Sequence, residues 1–196
     1  MKIYAVIGLI LAAVSLWTCQ ASDSNGSKQL PEEELMKTGA EITQTIGAEL
    51  MKTVQQQMSE GGVAQALGFC QTHALPITDS LATRFNVSVK RTALRTRNPK
   101  NAPSDFEVDV LTTMQGQEKF DPAMSYSENG NAVYYEPIVL KEFCQTCHGI
   151  PGASMAVAVD SLIKSHYPDD RATGFSSGDL RGMWVVTFHE DTRINK

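Results

Sequence analysis

Cysteine is scarce in this chain, positive charge is outnumbered, and no apolar run reaches membrane-spanning length. The 196 residues hold four cysteines, at positions 19, 70, 144 and 147. No second ligand pair follows Cys144 and Cys147, which removes the four-ligand zinc site that a C-x-x-C pair otherwise suggests. Lys and Arg total 17 against 22 Asp and Glu, for a net charge of −5, so the basic surface needed for nucleic acid is missing. The long apolar run, from Ile3 to Trp17, falls short of the ~20 residues that cross a bilayer as a helix. Internal repetition is also missing. FCQT occurs at Phe69–Thr72 and again at Phe143–Thr146, but the flanks differ, so these are not two copies of one unit.

What is present begins with Cys144-Gln145-Thr146-Cys147-His148. This is a C-x-x-C-H motif, the pattern of c-type haem attachment. On a helical turn, Cys144 and Cys147 are i,i+3 neighbours on one face. Each thiol can then add to one porphyrin vinyl group, while His148 follows directly and reaches the iron. The rival reading is a redox dithiol, which calls for a βαβ unit just ahead of the motif. The preceding residues read as a hairpin instead.

The N-terminus agrees with this chemistry. MKIYAVIGLILAAVSLWTCQAS has one lysine, then an apolar stretch of signal-peptide length. Cys19 closes it, in LWTC, which resembles a lipobox with poor residues at Trp17 and Thr18; cleavage near Ala21 is the alternative. Residues 1–18 are expected to be a signal peptide of lipoprotein type and 19–30 a flexible tether. Residues 31–196 are then one domain, the export leaving roughly 170 residues, enough for a core. Haem c is attached in bacteria outside the cytoplasmic membrane, so the two signals support one location: the periplasmic side of the envelope, anchored through Cys19.

Periodicity places the other elements. Leu35, Ile42, Ile46, Leu50, Val54 and Met58 form an apolar stripe on a helix over 32–58. A core-facing stripe is the ordinary reading; a homodimer seam is the alternative. Gly61-Gly62 is expected to break the helix. A second one carries Cys70 inward, with Pro76 expected to kink or split it. Val87 and Val89 alternate with polar residues, as in a strand. Ser104-Asp105-Phe106-Glu107 is a capping box opening a helix to about Gln115. Asn129-Gly130 marks a hairpin between two β-prone runs. A haem-bearing helix is expected from about Val139, another helix over 157–166, and a last strand over 181–188. Strands mixed with helices, several of them antiparallel, indicate an α+β fold.

Four blocks then carry a resemblance: FCQTHALPITDSL, VKRTALRTRNPKNAPSDFE, YYEPIVLKEFCQTCHG and YPDDRATGFSSGDLRGMWVV. They resemble the Tll-type family of single-haem c-type proteins with a PAS-like fold. The resemblance implies an antiparallel sheet with flanking helices, a long N-terminal helix and one covalent haem c. It also implies that the iron is held by His148 and by a cysteine thiolate from an earlier helix, which Cys70 matches. Read from the residues alone, Cys70 is a buried small hydrophobe or a ligand, and His73, on nearly the same face, is its rival. His166 and His189 read as surface or core residues. Arg95 and Arg97 are candidates for the haem propionates, since a guanidinium matches a carboxylate fork; a solvated loop is the alternative. Pro151 is a candidate for orienting the imidazole through a backbone carbonyl; a helix stop after the motif is the alternative.

Two protein ligands on one iron leave no open position, and thiolate favours the ferric state. The expected activity is therefore electron transfer at the cell envelope with a separate redox partner. A haem-based redox or gas sensor is the second reading; with no output module after the domain it also needs a separate partner. A haem enzyme such as a peroxidase is the third, and no distal acid–base pair supports it.

Overall fold

The computed structural model describes residues 31–189. The expected signal peptide, Cys19 and the expected tether lie outside the described residues.

The chain opens with α1 (Glu32–Arg84), whose first turn carries Glu32, Glu33 and Glu34 against the positive end of the helix dipole. The stripe is core. Leu35, Ile42, Ile46 and Leu50 are buried at 7% exposure or less and pack on the sheet of the same chain. The expected break is at Gly61 and Gly62, with φ,ψ of −148°,19° and 69°,−165°. Gly62 sits in the left-handed region, which glycine enters without cost. Of the kink or split expected at Pro76, the split does not occur: the helix runs through it to Arg84. Pro76 and Thr72, whose carbonyl loses its donor, are both exposed residues, so water is at hand for that carbonyl.

β1 (Val87–Thr92), β2 (Ala123–Tyr126), β3 (Ala132–Val139) and β4 (Leu180–Phe188) form one antiparallel sheet in the order β1-β4-β3-β2. Between β1 and β2 lies α2 (Asp105–Gln115), opened by the Ser104–Glu107 capping box. One sheet face, with Val87, Val89, Trp184, Val186, Phe188, Ala132 and Tyr134, packs under α1. The other, with Met183, Val185, Val133 and Tyr135, packs on Leu111 and Met114 of α2. The sheet and α1 approach closely at Gly39: a Cβ there would meet the Tyr134 ring at 2.4 Å. The fold is thus α+β, with a four-stranded antiparallel sheet and a long N-terminal helix.

One boundary differs from expectation. Val139 ends β3, after a bulge at Ile138/Val139, and does not start a haem helix. Pairing to β4, forty residues on in the chain, holds this apolar run extended. The motif instead occupies a 3₁₀ turn, Glu142–Cys144, and one helical turn, α3 (Gln145–His148). α4 (Val157–His166) follows and packs Ile163 with Leu67 of α1.

Candidate functional site

A cavity of about 820 Å³ lies between α1, the end of the sheet and the C-x-x-C-H turn. That is within the ~300–1,000 Å³ typical of cofactor pockets. Cys144, Cys147 and His148 form one side, and Cys70 lines it from α1. All three described cysteines are free thiols. Apolar residues of α1, among them Leu50, Met51, Val54, Met58 and Leu67, supply much of the rest.

The tight turn puts Cys144, Cys147 and His148 together without help from distant residues. Orientation of the imidazole does need help. His148 Nδ1 is 2.7 Å from the Ala172 carbonyl. A carbonyl only accepts, so Nδ1 carries the hydrogen and Nε2 keeps a free lone pair. Arg181 Nε, 3.4 Å from the same Nδ1, is also a donor and makes a packing contact only. Burial holds the imidazole pKa well below its ordinary value, and the guanidiniums of Arg97 and Arg181 push the same way. His148 is therefore neutral, the form that ligates metal. Ala172 fills the orienting role expected of Pro151.

The loop that supplies Ala172 is tied to the motif by two further bonds. Phe175 N–H donates to the His148 carbonyl at 2.9 Å, and Gly174 N–H to the Gly149 carbonyl at 2.7 Å. Gly174 has φ 78°, a conformation that lets the loop turn back onto the motif.

The two arginines singled out in the sequence are both engaged with protein groups. Arg97 lines the cavity, but its Nε donates to Asp170 Oδ1 at 2.8 Å and its Nη2 to the Cys147 carbonyl at 2.6 Å. Asp170, with its side chain 2% exposed, is a buried ion-pair partner and not merely a turn residue. Arg95 donates from Nε to the Arg171 carbonyl at 3.0 Å and from Nη2 to the Thr173 carbonyl, and it stacks on Phe175 at 4.3 Å. It thus secures the loop from Arg171 to Phe175 and is not among the cavity-lining residues. His73 is exposed, stacked on Phe69 at 4.5 Å and outside the cavity. His166 bonds Gln71 on the surface, and His189 contacts Ser88.

The thiols carry their own electrostatics. Burial raises the pKa of Cys70, and the charges of Arg91 and Arg97 pull it back. Burial raises that of Cys147, with Arg97 again opposing. Arg91, Arg181 and Tyr167 also line the cavity, and none was singled out in the sequence. A signal for Arg91 exists: it takes the third place in the inward row Val87, Val89, Arg91. Among the described residues, no three His, Cys, Asp or Glu side chains converge as a site for a bare ion. No helix among them is long and apolar enough to cross a membrane.

The Tll0287-like family model matches residues 28–188. The crystal structure of the cyanobacterial heme-protein Tll0287 aligns with a TM-score of 0.52 at 22% identity, over 84% of this chain and 100% of that one. At that identity the likeness establishes a shared fold. A search of curated proteins returns no match.

Proposed function

Because this chain belongs to the Tll0287-like family, we propose that it is an exported c-type haem protein that transfers electrons at the cell envelope. One observation carries the reading: a single cavity has the C-x-x-C-H turn on one side and a lone cysteine of α1 on another. The donor set fits one haem c. Cys144 and Cys147 supply thioether sulfurs, His148 supplies Nε2, and Cys70 supplies a thiolate. The apolar residues of α1 suit a macrocycle. Bound there, haem supplies one-electron redox chemistry.

The residues divide the work. Ala172 fixes the imidazole, and the Arg97–Asp170 pair braces the motif through the Cys147 carbonyl. Cys70 would give up its proton on binding iron: burial raises its pKa, Arg91 and Arg97 offset that only in part, and the metal's charge would supply the rest. With His148 and Cys70 both engaged, no position is left for substrate, which favours a carrier over an enzyme. Likeness to a haem protein, an antiparallel sheet and flanking helices also support the PAS-like description. Residues 1–18 as signal peptide, Cys19 as lipid anchor, 19–30 as tether and 31–196 as the haem domain complete the proposal.

A second reading, a redox or gas sensor, takes the break at Gly61-Gly62 as a hinge between two packed segments of α1: Leu35 to Leu50 on one side, and on the other the segment bearing Cys70, whose Ala74, Ile77, Leu81 and Ala82 also pack on the core.

Protein made with a haem c maturation system tests the proposal. Its colour should stay with the protein in acid-acetone, with a c-type pyridine haemochrome and a low-spin ferric EPR spectrum of thiolate–histidine type. A b-type haemochrome would overturn covalent attachment.

A further inference from the structure

The cavity wall carries a charge that the attachment turn does not use. On the sheet face under α1, β1 presents Val87, Val89 and then Arg91. A third apolar side chain would continue the row, whereas a guanidinium must give up water to sit there. Its flat face is covered by Trp184, with Cζ 5.4 Å from the ring centroid. That leaves the in-plane N–H groups, and Nε is sealed from solvent without a hydrogen-bond partner. Buried donors in native proteins almost always have one. The neighbours that favour the Arg91 charge are Cys70 and Tyr167, and neither offers a carboxylate.

A second unpartnered atom belongs to another residue lining the same cavity. Thr92 Oγ1 donates to the Asn101 carbonyl at 2.9 Å, which holds Asn101 next to this end of β1. Asn101 lines the cavity, and its Oδ1 is buried without a partner. Turning the amide over presents Nδ2–H at that position, since the two ends are the same shape. The other guanidiniums are engaged: Arg97 by Asp170, Arg95 by two carbonyls, and Arg181 by the Arg95 carbonyl at 3.0 Å. In a chain of net charge −5, this wall gathers free donors for an anion.

We propose that Arg91, together with Asn101, binds a carboxylate of the group held in the cavity, a haem propionate. The inference rests on the haem reading above. It assigns to Arg91 the part for which Arg95 and Arg97 are the sequence candidates. A guanidinium edge matches a carboxylate fork, a two-point fit that a single thiolate sulfur does not offer.

The test uses holoprotein: wild type, Arg91→Leu, Arg91→Lys, and Lys90→Met as a charge-removal control on the opposite sheet face. Covalent haem is measured by pyridine haemochrome, the propionate bending band by resonance Raman, and the midpoint potential as a function of pH. In Arg91→Leu, haem should remain, the propionate band should shift, and the midpoint should fall because a cation near the iron is gone. The pH dependence of the midpoint should move to higher pH, because the propionate loses the charge that favours its ionised form. Arg91→Lys should restore much of the midpoint with the band still displaced, and it serves alone if the leucine variant does not accumulate. Lys90→Met should leave the band in place. An unmoved band in either Arg91 variant overturns the assignment. So does loss of the thiolate EPR signature with the band unmoved, which would give Arg91 to Cys70. Wild type without covalent haem overturns the haem reading and this inference together.

Discussion

His148 shows how much one backbone carbonyl can decide. The Ala172 oxygen fixes the tautomer, and the same bond aims Nε2 away from Nδ1. Cys70 and His73 show the opposite case, two candidate ligands three residues apart with different surroundings. Cys70 lines the cavity, while His73 is exposed and stacked on Phe69. His73→Ala should therefore leave the ferric absorption and EPR spectra as in the wild type. Cys70→Ser should replace the low-spin thiolate signature by a high-spin or newly ligated one, with a higher midpoint potential. A spectrum altered by the His73 change and untouched by the Cys70 change would show that the ligand lies elsewhere.

Among elements, α1 is governed by its contact with the sheet. At Gly39 two effects oppose each other. Alanine is the better helix residue by ~1 kcal/mol, but its Cβ would lie 2.4 Å from two ring atoms of Tyr134. That ring is fully buried, and its hydroxyl donates to Glu136, so it has nowhere to swing. Overpacking costs ~1–3 kcal/mol, and Gly39→Ala should lose about 1 kcal/mol net, read as a lower denaturant midpoint. A raised midpoint would mean that the ring yields. The same comparison of local and distant forces explains what was legible. The capping box at Ser104 and the turn at Asn129-Gly130 are local chemistry, and both elements begin where those residues put them. The apolar run ending at Val139 has no such punctuation, and β4 decides its state from far along the chain. The site divides the same way. The C-x-x-C-H turn is a local pattern. Ala172, Asp170 and Arg91 matter only through what the fold places beside them. In the sequence Arg91 follows a lysine, and its place in the inward row after Val87 and Val89 is the one hint that it is not a solvated charge.

At the scale of the whole molecule, the proposed location is tested through the first residues. On the lipoprotein reading, wild-type protein should fractionate with membranes and enter detergent. Cys19→Ala should send it to the soluble fraction or stop its processing, because stable anchoring needs more than one acyl chain. A mature wild-type protein beginning at Ser22 would rule out the anchor. The strand order carries a consequence of a different kind, one of timing. β4 is the last strand in chain order but lies between β1 and β3. Until Leu180–Phe188 arrives, those two strands have no common neighbour, and neither Arg181 nor the Ala172 carbonyl has reached the site. Long-range pairing of this kind forms late. On the proposed reading of an exported haem c protein, N-terminus-first export would bring out Cys144 to His148 on an open chain, ahead of the strand that closes their own cavity. The topology would leave an interval in which a maturation enzyme could reach both thiols, and would end it when the sheet is complete.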